Sequence, residues 1–160
     1  MATIDLSDFA KHLQHLAQEE VDKFLKEDAV RLAASVFENQ MSDAFQTESF
    51  NSQYWQEVKR RTPGTSAYRY AQKRHPARLS RKILTGDTGD LDRSFHTEYT
   101  PHQATFTSDT VYGKVHNEGL KAGRGQGFTM PKRQFIGSTP ETIKQAETLI
   151  SDHFKSLFNQ

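Results

Sequence analysis

The chain contains no cysteine. That excludes disulfides and thiolate metal ligands, and it fits a reducing compartment. No stretch approaches the roughly 18 apolar residues that a membrane span requires, so no membrane partner is expected. The opening residues, Met1-Ala2-Thr3-Ile4-Asp5, lack a basic cluster ahead of an apolar run, and a secretory signal is not expected. Glycine and proline are missing from residues 1–62, so nothing there interrupts a helix. Acids are missing from residues 59–82, which hold nine Lys or Arg. Residues 1–48 lean the other way, with ten Asp or Glu against four Lys or Arg. A net charge of +1 conceals this division. The two regions can attract each other within one chain or between neighbours in an oligomer.

What is present reads as one α+β domain over residues 1–160, long enough to bury a core without staples. Leu6, Phe9, Leu13, Leu16, Val21, Phe24, Leu32, Val36 and Phe37 recur at helical spacing, and Met41, Ala44 and Phe45 continue it. A helix is expected over about 7–45, within a segment 1–45, capped by Ser7 or Asp5. At 1.5 Å per residue it would be roughly 55 Å long. A compact chain of this size is only about 40 Å across. Either the helix breaks or the subunit is elongated. Residues 46–82 form an aromatic and then basic region. Phe50, Tyr54 and Trp55 are expected to pack as a satellite core. Residues 59–82, with Pro63-Gly64 and His75-Pro76, read as a long basic loop with a helical turn at 66–74.

Residues 83–137 carry the β signals. Thr88 is a candidate cap for a short helical turn through Leu91. Residues 93–100 and 103–109 alternate as strands, with Phe95, Thr97 and Tyr99 on one face, and Pro101-His102 turns between them. Residues 111–118 fit a short helix or a third strand. Residues 119–127 read as a flexible glycine loop, and 130–136 as an extended piece. The last segment, 138–160, is a helix capped by Thr139 with Pro140 in its first position. Its apolar stripe is Ile143, Ala146, Leu149, Ile150, Phe154, Leu157 and Phe158. The sum is a long N-terminal and a C-terminal helix packed on a small antiparallel β-sheet.

Residue types that carry chemistry are present without the patterns that use them. His12 and His15 have an i, i+3 spacing that can bind metal, but no further ligand is placed beside them. Gly123 to Gly127 is followed by Phe128-Thr129 and not by the Lys-Ser/Thr pair of a phosphate loop. No serine sits in a nucleophile elbow. No residue is therefore assigned a catalytic, cofactor-binding or metal-binding role. The basic segment supports a second reading, a nucleic-acid-binding protein in which Tyr68 and Tyr70 stack while Arg69, Lys73 and Arg74 meet phosphates. A third reading is a metal-dependent nuclease built on His116.

Three strings in the second half have a specific order. Thr88-Gly89-Asp90-Leu91-Asp92-Arg93-Ser94 comes first. Tyr112-Gly113-Lys114-Val115-His116-Asn117-Glu118-Gly119 follows the strands, and Met130-Pro131-Lys132-Arg133-Gln134-Phe135-Ile136-Gly137 follows the glycine loop. This series resembles the virion morphogenesis (tail completion) family of tailed bacteriophages and prophages. The wider group takes in minor tail proteins at the head–tail junction. Departures are Asn51-Ser52-Gln53-Tyr54-Trp55, where the family often has a Pro-Asp-Gly stretch before the tryptophan, and Gly113, where alanine is usual.

The resemblance implies a non-enzymatic protein of the neck or tail terminus, found in the virion and assembled in the host cytoplasm. Its expected partners are further copies of itself in a ring, with sixfold tail symmetry pointing to a hexamer, and other neck or tail proteins. Any DNA contact would be without sequence specificity. No cofactor is expected. Ring subunits need complementary surfaces, and Arg60, Arg61, Arg69, Lys73, Arg74 and Arg133 are the candidate interface residues. Arg133 could bridge to a neighbour or to a carboxylate of its own chain. Gly89, Leu91, Ser94, Tyr112, His116, Gly119, Pro131 and Phe135 read as structural, with Gly89 and Gly119 in positive-φ turns.

Overall fold

A computed structural model describes residues 7–86 and 88–158. Asp5 and Leu6 lie outside the described residues, as do the side chains of Ser7, Phe9, His12, Leu13, Leu16 and Phe158. The chain opens with a helical arm. Helix α1 (Ser7–Lys23) passes through a π-helical turn (Phe24–Asp28) into α2 (Ala29–Thr47). Lys23, Asp28 and Ala29 at the joints all keep right-handed helical angles, so the helix does not break. Its length is roughly 60 Å at 1.5 Å per residue. The buried positions Phe24 and Ala29 are five apart, the spacing that a π turn brings into line. The arm stops at Glu48, a left-handed residue (φ 55°) whose N–H returns to the Ala44 carbonyl.

The C-terminal helix α6 is fixed at its start by chemistry visible in the sequence. Thr139 Oγ1 accepts from the Thr142 N–H at 3.1 Å, and Pro140 opens the helix. Gln40 Nε2 reaches Thr142 Oγ1, while Phe24 meets Phe154 at 5.2 Å between ring centroids. The two pairs show that α6 runs antiparallel along the arm. Only part of its apolar stripe is covered. Ala146 is buried and Ile150 and Phe154 half-buried, but Ile143, Leu149 and Leu157 stay exposed.

Between the arm and α6 the chain is short-ranged. Strands β1 (Ser49–Phe50) and β2 (Gln53–Tyr54) turn through Asn51 and Ser52, both at positive φ, as a two-residue primed hairpin requires. The basic segment is not a plain loop. It holds α3 (Ser66–Arg74), capped by Thr65 Oγ1 accepting from the Tyr68 N–H, and a 3-10 turn (Pro76–Arg78). Short helix α4 spans Asp90–Arg93. Gly89, and not Thr88, holds its cap position, with no side-chain cap bond. Strands β3 (Phe95–Thr100) and β4 (Gln103–Ser108) pair antiparallel across Pro101-His102. His102 at φ 66° after a proline is the type II pattern. Residues 113–118 are helix α5 (Gly113–Glu118) rather than a strand. The glycine segment is bracketed by a small ribbon, β5 (Lys121–Ala122) against β6 (Phe128–Thr129). The class is α+β, with its described strands divided into three two-stranded antiparallel ribbons.

One aromatic cluster joins these pieces. Phe45 of α2, Trp55, Phe95 of β3 and Phe135 surround one another. Phe45 lies 5.1 Å from Phe135 and 5.8 Å from Trp55, and Phe95 lies 5.2 Å from Phe135, centroid to centroid. Ile83, Leu91 and Ala44 complete the buried set. Trp55 thus belongs to the main core and not to a satellite. Phe50 packs at its edge, and Tyr54 points to solvent at 85% exposure. Strand alternation explains this: neighbours in an extended segment face opposite ways, so Trp55 and Tyr54 cannot both turn inward. Phe135, 1% exposed, packs against both Phe45 and Phe95. Phe135→Ala should destabilise the protein by roughly 3–5 kcal/mol, read by urea unfolding.

Candidate functional site

The three strings fold against one another. In the first, Gly89 takes φ 70° and lets the chain enter α4, which drives Leu91 into the core at 2% exposure. Ser94 Oγ donates to the Leu91 carbonyl and shares a 2.8 Å bond with Ser108 Oγ. The Asp109 N–H donates to the Ser94 carbonyl, so Ser94 closes the open end of the β3–β4 hairpin. The second string starts where that end is most crowded. A Cβ on Gly113 would lie 3.1 Å from Ser108 Oγ and 3.4 Å from Leu91 Cδ1, which accounts for the small residue after Tyr112.

The second and third strings are tied backbone to backbone. The Arg133 N–H donates to the His116 carbonyl at 2.8 Å, and the Met130 N–H to that of Leu120. Asn117 Oδ1 accepts from the amides of Phe135 and Ile136 at 3.0 and 3.2 Å. Gly119 ends α5 at φ 72°, and a Cβ there would come within 2.9 Å of Lys132 Cβ. Pro131, half-buried, lies in the bend that leads to the Phe135 anchor. Tyr112, 42% exposed, sets its ring edge-on to His116. Burial, and then the Arg133 charge, push the His116 imidazole below its ordinary 6.5, which keeps it neutral at pH 7. Its Nδ1 is buried without a partner.

The candidate interface arginines divide into two groups. Arg133, 6% exposed, donates from Nε and Nη2 to the Gln56 carbonyl, so its partner is backbone of its own chain. Trp55 Nε1 returns the link by donating to the Gln134 carbonyl at 2.7 Å. Arg60 donates to the carbonyls of Arg78, Arg81 and Lys82 and stitches the basic segment onto itself. Arg61 makes a two-pronged pair with Glu48 at 2.9 and 2.6 Å and also binds Glu57. Hydrogen bonds to both carboxylates hold Arg61 above its ordinary value. Arg69, Lys73 and Arg74 differ. They stand exposed on α3 beside Tyr70, which is itself 59% exposed, while Ala71 on the opposite side anchors the helix.

Glu48 was not legible as a key residue, nor were Asn117 and Gln56. Glu48 draws in the Ile83 N–H at 2.6 Å as well as Arg61. Burial acts to raise its carboxyl, but the Arg61 and Ile83 hydrogen bonds outweigh it and hold Glu48 below its ordinary 4.5. The available clue is position: Glu48 follows the last apolar residue of the helical stretch. Among the described residues no group of three or more His, Asp or Glu is placed to hold a metal ion. His15 pairs with Glu19 on the open surface. No helix among the described residues is long and apolar enough to cross a membrane.

The arrangement is a set of cross-braced turns under an exposed basic helix, the form of a structural module. Residues 56–155 match the phage virion morphogenesis family, and the chain belongs to that family. A relative is the Mu-like prophage FluMu G protein 2 of Haemophilus influenzae, 34% identical over 86 residues. That match takes in 51% of this chain and 62% of the relative, so the chain spans less than two thirds of the curated relative's length. No solved structure matches the chain. A tail-related structural role in phage virion morphogenesis follows from the family.

Two measurements check the bracing. Gly86 has φ 58° with open space around it, whereas Gly119 adds the Lys132 backbone within 3.1 Å. Gly86→Ala should therefore cost about 1 kcal/mol and Gly119→Ala roughly 2–4 kcal/mol in thermal or urea unfolding. The second concerns pH. A carboxyl lowered on folding stabilises fully above its unfolded value and loses that contribution as pH falls through the folded value. Stability should thus decline below about pH 4.5, and Glu48→Gln should make the decline shallower. Parallel pH profiles for the two proteins would show that Glu48 is not so held.

Proposed function

We propose that this chain is a non-enzymatic structural protein of the neck or tail terminus of a tailed phage or prophage, acting in tail completion or head–tail connection. The observation that carries this is the family match over residues 56–155, the span in which the three strings brace one another. The Haemophilus relative, a Mu-like prophage protein, agrees with a phage origin. The side chains at the centre of the braced turns are spent on backbone partners: Asn117 on Phe135 and Ile136, Arg133 on Gln56, Ser94 on Leu91. Such a module offers rigidity and surface, which suits assembly. Exposed apolar residues on α6 and the free basic face of α3 leave surface for neighbours in a ring and for other neck or tail proteins.

Electron microscopy of particles made without this protein tests the role. Separated heads and tails, or tails with abnormal ends or lengths, are the expected result. Normal, infectious particles would overturn it.

A further inference from the structure

Among the described residues, two surfaces of opposite charge make few contacts with the rest of the chain. The first is α1. The element it packs against substantially is the π turn that continues it. The aromatic contacts of the arm with α6 lie at Phe24, against Phe154 and His153. Glu19, which meets His15 of its own helix, and Glu20 stand exposed on α1 and Glu27 just beyond it. The second surface is the outer face of α3. Arg69 and Lys73 are four apart, as are Tyr70 and Arg74, so all four share one side of the helix. The nearby acids are already taken, since Arg61 holds both Glu48 and Glu57. Among the described residues no carboxylate lies within ion-pair distance of Arg69, Lys73 or Arg74.

We propose that α1 of one copy lies across α3 of the next, with Glu19 and Glu20 against Arg69, Lys73 and Arg74. The inference deepens the assembly reading and rests on it. The two surfaces are different parts of the molecule, so the contact is heterologous: each copy offers one α1 and one α3, and the series ends only when a ring closes. The face of α3 is held ready for this. Thr65 caps the helix, Ala71 anchors it, and Arg60 fixes the segment that follows, so little ordering is needed on docking. Exposed ion pairs contribute little individually. The charges set register and orientation, while the exposed ring of Tyr70 supplies apolar surface to bury. Double-stranded DNA is the competing occupant of α3, but it would leave α1 uncovered. A second copy accounts for both surfaces at once.

Charge exchange on the full chain tests this, with sedimentation velocity as readout and circular dichroism to verify folding. The wild type should self-associate, less so as salt rises. The triple variant Arg69→Glu, Lys73→Glu, Arg74→Glu and the double variant Glu19→Lys, Glu20→Lys should each associate more weakly by on the order of a hundredfold. An equimolar mixture of the two should recover assembly, because every α1 then meets an α3 of opposite sign. Lys73→Glu and Glu20→Lys serve if a multiple variant fails to fold. A monomeric wild type, variants that associate normally, or a mixture that stays apart would each overturn the proposal. So would binding of a short DNA duplex that the α3 reversal abolishes while self-association persists. Normal particles without the protein would sink the tail-completion reading while leaving a measured α1–α3 contact standing.

Discussion

Glu48 is the point on which the architecture turns. It leaves the helical arm in a left-handed conformation that costs a non-glycine residue about 1 kcal/mol or more. Four hydrogen-bonding links offset that strain. Its N–H closes the last turn on Ala44, and its carbonyl accepts the Trp55 N–H at 2.7 Å. Its carboxylate binds the Ile83 N–H and the Arg61 guanidinium. One residue thereby sets where the arm stops, where the tryptophan strand returns and where the basic segment rejoins the core. Trp55 and Ile83 are themselves buried core residues, so the polar hub and the aromatic cluster position each other.

The family strings gain a common physical meaning from this frame. None of them is a site by itself. Asn117 acts as a substitute strand edge, accepting two successive amides from a segment that has no regular structure. Arg133 and Trp55 exchange bonds across the same gap, one donating to Gln56 and the other to Gln134. With such short ribbons, side chain to backbone bonds do the work that ladder bonds do in a larger sheet. This explains why polar residues of the strings are buried in a protein whose family role is structural.

Features governed by local chemistry could be read from the chain. Thr139-Pro140 named the start of α6, Pro101-His102 named the β3–β4 turn, and apolar spacing named the arm to within two residues of its end. Even the helical stretch at 66–74 showed through the basic composition. Features governed by distant partners could not. Which of Tyr54 and Trp55 turns inward depends on Gln134. The roles of Arg60 and Arg61 depend on the Arg78 carbonyl and the Glu48 carboxylate, 13 or more residues away, as well as on nearby Glu57. The β5–β6 ribbon was hidden because its glycines signal freedom, while their actual use is three positive-φ positions, Gly123, Gly125 and Gly127.

The π turn at Phe24–Asp28 carries a last consequence. A helix turn that takes in an extra residue shifts the phase of everything before it by roughly 100°, since that is the angle one residue subtends. The arm is therefore continuous as a rod, but positions on the two sides of the joint fall out of the phase that an unbroken repeat of about 3.6 residues would give them. The half after the turn serves the interior of its own subunit. The half before it takes its bearing from the joint, so the register of α1 is set at Phe24–Asp28.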